Sequence, residues 1–263
     1  MKILLICGSH RRHLYFVNRI QKDFDIAGCL LVQREEILPE VPKNIARLDK
    51  NNFIRHFNDR VEAEKKYFGD PVIPKTNVLK ITPSNLNSQK SVRFVALINP
   101  DIAIIFGSGL VKEPLFSMLP TNTINLHLGL SPRYRGAATL FWPFYFMEPT
   151  FAGSTFHFIV KEPDAGAIIH QVVPKLDPND RIHDVACKTV LKSCEGIVKL
   201  LKILKSKGDL KGYKQKGTGK NFLQNDFRPE HLRVIYNVFD NDMVKQYLEG
   251  HLNSKKPKLI TQY

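Results

Sequence analysis

Lys2-Ile-Leu-Leu-Ile-Cys-Gly-Ser-His-Arg-Arg-His13 decides how the chain is read. After the lysine the run is apolar without alternation, which suits a strand covered on both faces of a sheet. Gly8-Ser9 interrupts it, and Leu14, Val17 and Ile20 then recur at helical spacing. Strand, Gly-Ser turn and helix is the arrangement by which α/β proteins turn backbone N–H groups toward an anion. Ser9, His10, Arg11 and Arg12 are therefore candidates for phosphate contacts, with the guanidinia adding charge-assisted bonds. An ordinary turn carrying solvated arginines stays open beside that reading. The stretch has no G-x-G-x-x-G and no P-loop lysine, so neither a dinucleotide nor a P-loop site is indicated.

Outward from there, strand and helix patterns alternate to about residue 120. Strands are expected at Ile26–Val32, Asn77–Ile81 and Asp101–Phe106, the last closed by Gly107-Ser-Gly109. Amphipathic helices are expected over Asn52–Phe68 and from a cap at Ser84 or Asn85 to Ile98, with the Pro-punctuated residues 33–51 as loop. The alternation implies an α/β fold, a Rossmann-like open and largely parallel sheet with helices on both faces. Beyond it, Asn122–His127 alternates like a strand, and Ala137–Met147 reads as helical. Ser154–Val160 and Ala167–Lys175 read as a strand pair, and Asp180–Lys205 as a long core helix. The composition changes near residue 206, which divides the chain into a domain of residues 1–205 and a small appendage, 206–263, of a hairpin or loop and two short helices.

Composition narrows the class. Hydrophobic residues make up 43% and charged residues 24%, ordinary for a globular protein. No apolar run reaches bilayer length and the N-terminus lacks signal-peptide features, so a cytoplasmic protein with no membrane partner is expected. Cys7, Cys29, Cys187 and Cys194 show no CxxC or metal-ligand spacing, so no metal is expected and the cysteines read as buried thiols. The formal charge of +14 suits anionic partners. Without a long basic-aromatic segment, small anions rank above nucleic acid.

The chemistry concentrates in Asn125-Leu-His-Leu-Gly-Leu-Ser-Pro-Arg-Tyr-Arg-Gly136. Asn125 and His127 are two apart, so on a strand they share a face and both can aim at one oxygen. From these residues alone, a turn-closing Asn and a satisfied half-buried His remain the simpler account.

Four motifs in order, Asn99-Pro-Asp-Ile-Ala-Ile-Ile-Phe-Gly-Ser-Gly-Leu-Val-Lys-Glu-Pro114, Ile124-Asn-Leu-His127, Ser131-Pro-Arg-Tyr-Arg-Gly-Ala137 and Asp164-Ala-Gly-Ala-Ile-Ile169, resemble the folate-dependent formyltransferases. The match is strongest over about residues 99–170. The resemblance implies a catalytic set of Asn125, His127 and Asp164, with Asn125 and a protonated His127 donating to the formyl oxygen and Asp164 assisting proton removal. It implies that N10-formyltetrahydrofolate is the co-substrate, held by Gly109, Leu110, Val111 and Lys112 on one wall, by Val160 on the other, and by Ser131. The family's Ser-Leu-Leu-Pro turn appears here as Gly129-Leu-Ser-Pro132, which departs from it in side chains.

For the acceptor, the Arg133–Ala137 segment looks closer to the tRNA and sugar branches of that superfamily than to the glycinamide ribonucleotide branch. Residues 206–263 are short for the basic barrel of the tRNA enzymes. A nucleotide-linked amino sugar, destined for surface polysaccharide such as lipopolysaccharide O-antigen, is the implied acceptor, with Arg135 joining the phosphate and sugar candidates. A tRNA formyltransferase with a shortened appendage and a non-catalytic folate- or nucleotide-binding module are the alternatives. Oligomeric state is left open, with a homodimer through the C-terminal segment as a candidate.

Overall fold

The computed structural model describes residues 1–33, 38–217, 219–253 and 255–263. Its frame is a seven-stranded sheet in the order β3-β2-β1-β4-β5-β7-β8. The strands are β1 (Ile3–Gly8), β2 (Ile26–Val32), β3 (Asn77–Ile81), β4 (Ile102–Phe106), β5 (Thr123–His127), β7 (Ser154–Phe158) and β8 (Ile168–Val172). The first five run parallel; β7 is antiparallel to both β5 and β8. The apolar runs become sheet interior because helices cover both faces. Ile3, Leu5 and Cys7 point toward α1 (Arg11–Gln21), α2 (Arg47–Phe68) and α5 (Ile182–Lys207), while Leu4 and Ile6 point toward α3 (Gln89–Ile98). All four cysteines are free and buried.

Two expectations differ from the fold. α2 starts at Arg47, five residues before the expected Asn52, because its first turn is fixed from a distance. Asp49, 1% exposed, accepts two bonds from Arg233, Nε at 2.7 Å and Nη2 at 2.6 Å. The helix expected over residues 137–147 shrinks to α4 (Trp142–Tyr145). Just before it, β6 (Tyr134–Gly136) pairs in parallel with β9 (Lys220–Phe222), which holds the preceding residues extended.

The C-terminal residues do not stand apart. Phe222, Leu232, Tyr236 and Met243 share a buried cluster with Phe53, Trp142 and Val185. α6 (Met243–Leu248) follows, and the tail then runs along β8, where the Gln171 N–H donates to Ile260 O at 2.7 Å and Tyr263 stacks on His170. Among the described residues, no helix is long and apolar enough to cross a membrane.

Candidate active site

In open parallel sheets, ligands bind beyond the carboxyl ends of the strands, where the strand order reverses. Here that point lies between β1 and β4, and a cavity of about 830 Å³ opens there. Asn125, His127 and Asp164 all line it, as do Gly109, Leu110, Val111, Val160, His10 and Arg12.

β5 delivers Asn125 and His127 on one face, as the two-residue spacing requires. The His127 Nε2 faces the Tyr134 carbonyl at 2.9 Å, and a carbonyl only accepts, so Nε2 carries the hydrogen. Nδ1 then faces Asp164 Oδ2 at 3.4 Å. The other carboxylate oxygen lies 3.4 Å from His157 Nε2. His157 sits opposite Asn125 on β7; its Nδ1 donates to its neighbour's carbonyl, Phe158 O, at 2.8 Å. The Asn125 amide nitrogen lies 3.0 Å from His157 Nε2, which uses one of its two N–H groups and leaves the other for a ligand. The loop carrying Asp164 takes a left-handed turn there (φ 52°), which Asp tolerates. Gln215 Nε2 fastens the turn by donating to Asp164 O and Gly166 O at 2.7 and 2.9 Å, and the Gly136 N–H donates to Asp164 Oδ2 at 3.1 Å.

Charge in this group is uneven. Burial raises the Asp164 carboxyl, but the His157 contact, the nearby imidazoles and the Gly136 N–H outweigh it and bring it down to about 2. Burial pushes His127 below the ordinary imidazole value; Asp164 and the Tyr134 carbonyl pull the other way without cancelling it. The unliganded arrangement is a carboxylate beside a neutral imidazole. The protonated His127 expected from the sequence therefore arises only when a proton arrives.

Several expected contacts are occupied by the protein itself. Arg11 is drawn to Gly69 O and Asp70 at the end of α2, and Arg12 to Glu64 on α2. In place of a phosphate, the His13 ring lies over the Gly-Ser turn and packs edge-on against Phe106 at 4.7 Å. A Cβ on Gly8 or Gly107 would collide with that ring, and Gly107 also has φ 66°. Ser131 lies outside the cavity lining: its N–H donates to Thr155 Oγ1 at 3.0 Å and its carbonyl accepts from Gln171 at 2.8 Å. Ser9, Arg135 and Lys112 are also outside the lining. The Lys112 N–H donates to Asn87 Oδ1 at 2.8 Å, and Asn87 Nδ2 donates to Leu110 O at 3.1 Å.

Asn87, His157 and Gln215 were absent from the expected set. Only His157 had a local signal, since Thr155 and His157 alternate with Phe156 and Phe158 in that strand. Among the described residues, no group of three or more His, Cys, Asp or Glu is placed to hold a metal ion.

The family model described as formyl transferase matches residues 55–201. Solved structures share the fold at low identity. A sugar N-formyltransferase from a Shewanella species aligns with TM-score 0.55 and 16% identity over 89% of this chain and 87% of that one. A phosphoribosylglycinamide formyltransferase from Anaplasma phagocytophilum aligns with TM-score 0.56 and 15% identity over 85% and 98%. The formyltransferase PseJ from Anoxybacillus kamchatkensis, in complex with UDP-4,6-dideoxy-4-formamido-L-AltNAc and tetrahydrofolate, aligns with TM-score 0.52 and 18% identity over 92% and 96%. With the α/β sheet in place and the motif residues gathered at its carboxyl edge, the chain belongs to the formyl transferase family and is a folate-dependent formyltransferase.

Proposed function

We propose that this enzyme moves a formyl group from N10-formyltetrahydrofolate to the primary amine of a nucleotide-linked amino sugar, with Asn125, His127 and Asp164 as its catalytic residues. The observation that carries this reading is the convergence of those three side chains at one cavity, beside the Gly109–Val111 loop. The cavity wall of Leu110, Val111 and Val160 is apolar and suits a flat pterin, and Asn87 fixes the loop that would face it.

In the reaction a neutral amine bonds to the formyl carbon and the carbonyl oxygen gains charge. The spare amide N–H of Asn125 stabilises that oxyanion; one such donor contributes about 3–4 kcal/mol in comparable sites. Neutral His127 takes the amine's proton at Nδ1, and Asp164 stabilises the imidazolium from 3.4 Å. The same proton then passes to the folate nitrogen as its bond to the formyl carbon breaks, which returns His127 to its neutral form.

The sugar-nucleotide choice is supported by the basic composition, by one of the similar structures being a sugar N-formyltransferase by name and by another holding a UDP-linked formamido sugar. Incubation with N10-formyltetrahydrofolate and a panel of nucleotide-linked amino sugars tests it. The expected product carries the mass of one added formyl group on one member of the panel. Folate turnover with phosphoribosylglycinamide and none with any amino sugar would refute the acceptor.

A further inference from the structure

The cavity has a second polar wall that the reaction above does not use. On α2, His56, Arg60 and Glu64 follow one another at four-residue intervals, so one helix face carries all three into the cavity. Glu64 is 2% exposed, and its Oε1 accepts from Arg12 and, at 3.2 Å, from Arg60 Nε. Its Oε2 is buried with no hydrogen-bond partner among the described residues. His183, in the first turn of α5, is 7% exposed and lines the same cavity. Its Nε2 likewise has no hydrogen-bond partner among the described residues. Its ring lies 4.4 Å from that of His56, whose Nδ1 is held by Tyr236 at 3.0 Å.

A buried polar atom without a hydrogen-bond partner is costly, so two such atoms in one cavity lining, a carboxylate oxygen and an imidazole nitrogen, mark a place that a ligand completes. We propose that Glu64 and His183 form a recognition pair for the hydroxyl-bearing ring of the acceptor, in the same cavity as the reacting trio. This rests on the formyl-transfer reading above and adds to it the part of the substrate that is recognised. Glu64 Oε2 needs a donor, which a phosphate cannot supply at neutral pH. Arg12 and Arg60, the cations a phosphate would seek, are already bound to Glu64. A ring hydroxyl donates to Oε2, and an adjacent hydroxyl pairs with the neutral His183. The aromatic faces of Phe57 and Phe227 on the same lining suit the C–H face of such a ring.

The test compares affinities for dTDP-linked 4-amino-4,6-dideoxyglucose and for dTDP alone, measured by calorimetry on the wild type, Glu64→Gln and His183→Phe. Each variant's melting curve is recorded beside the wild type's. The wild type is expected to bind the sugar nucleotide more tightly than dTDP. Each folded variant is expected to lose tenfold or more of that preference, with dTDP and tetrahydrofolate affinities unchanged. Retention of the wild-type preference in a folded variant overturns the pairing while leaving formyl transfer intact. A wild type that binds both ligands equally also overturns it. Failure of the wild type to formylate any nucleotide-linked amino sugar refutes the acceptor reading instead, and the pairing falls with it.

Discussion

Two pairs of histidines line one cavity, and their neighbours differ in sign. His127 and His157 flank the Asp164 carboxylate at 3.4 Å each, whereas His56 and His183 stand beside the Arg60 guanidinium, which Asp184 opposes only in part at His183. Burial lowers His183 to about 3, and Arg60 adds to the shift. Burial lowers His127 too, but Asp164 opposes it. The same side chain at similar burial therefore has two capacities. Beside a carboxylate it can pick up and release a proton; beside a guanidinium it stays a neutral hydrogen-bonding ring.

The largest effect expected is on the carboxylate side. In the proposed reaction, Asp164→Asn removes the charge that would stabilise the His127 cation and should lower kcat by about 10²–10⁴-fold. The melting temperature should stay near that of the wild type. Single-turnover rates within tenfold of wild type would erase the distinction between the pairs. Asn125→Ala removes a donor to the oxyanion and should cost about 10²–10³-fold in kcat, with little change in folate affinity. A rise in KM alone would move Asn125 from the chemistry to binding.

Acidity separates the pairs next. His127 must be neutral to accept the proton, so kcat/KM should fall toward acid with a midpoint below 6.5. Asp164→Asn should move that midpoint further down, while His183→Phe should leave it in place. A midpoint that follows His183 would reverse the assignment.

The smallest effect is on stability. Between about 3 and 6.5, His183 is protonated in the unfolded chain and neutral in the folded one. Its depressed value therefore makes stability fall as pH drops through that window. The slope is up to about 1.4 kcal/mol per pH unit, and the loss stops below about 3. Asp164, at about 2 when folded and 3.8 as an ordinary carboxyl, adds a loss of the same sign below 3.8. Denaturant titrations from pH 7 to 4 should give a shallower acid slope for His183→Phe than for the wild type. Equal slopes would mean that His183 is already charged in the fold.

The parallel strands and their order of helices were legible because unbroken apolar runs between glycine breaks admit few other placements. That Asn125, His127 and Asp164 share one cavity was legible only through the four motifs taken together, since each residue alone has a simpler role. What stayed hidden was pairing over long sequence separation. Asp49 and Arg233 are 184 residues apart, and their contact decides where α2 begins. The β6–β9 pairing, which shortens the helix expected over residues 137–147, joins segments with no complementary pattern. Arg11 and Arg12 read as anion ligands because the sequence cannot reveal that Asp70 and Glu64 lie against them. The His56, Arg60 and Glu64 stripe was visible as charges between apolar residues, but only the fold turns that stripe inward.

The ring of His13 over Gly8 and Gly107 acts as a stopper at the floor of the crevice. It fills the space directly above the Gly8 and Gly107 backbone, so no ligand group can approach that turn while the ring is there. Opening that space would require a shorter residue at position 13 first, and a side chain at Gly107 would remain strained by its φ of 66° even after that change.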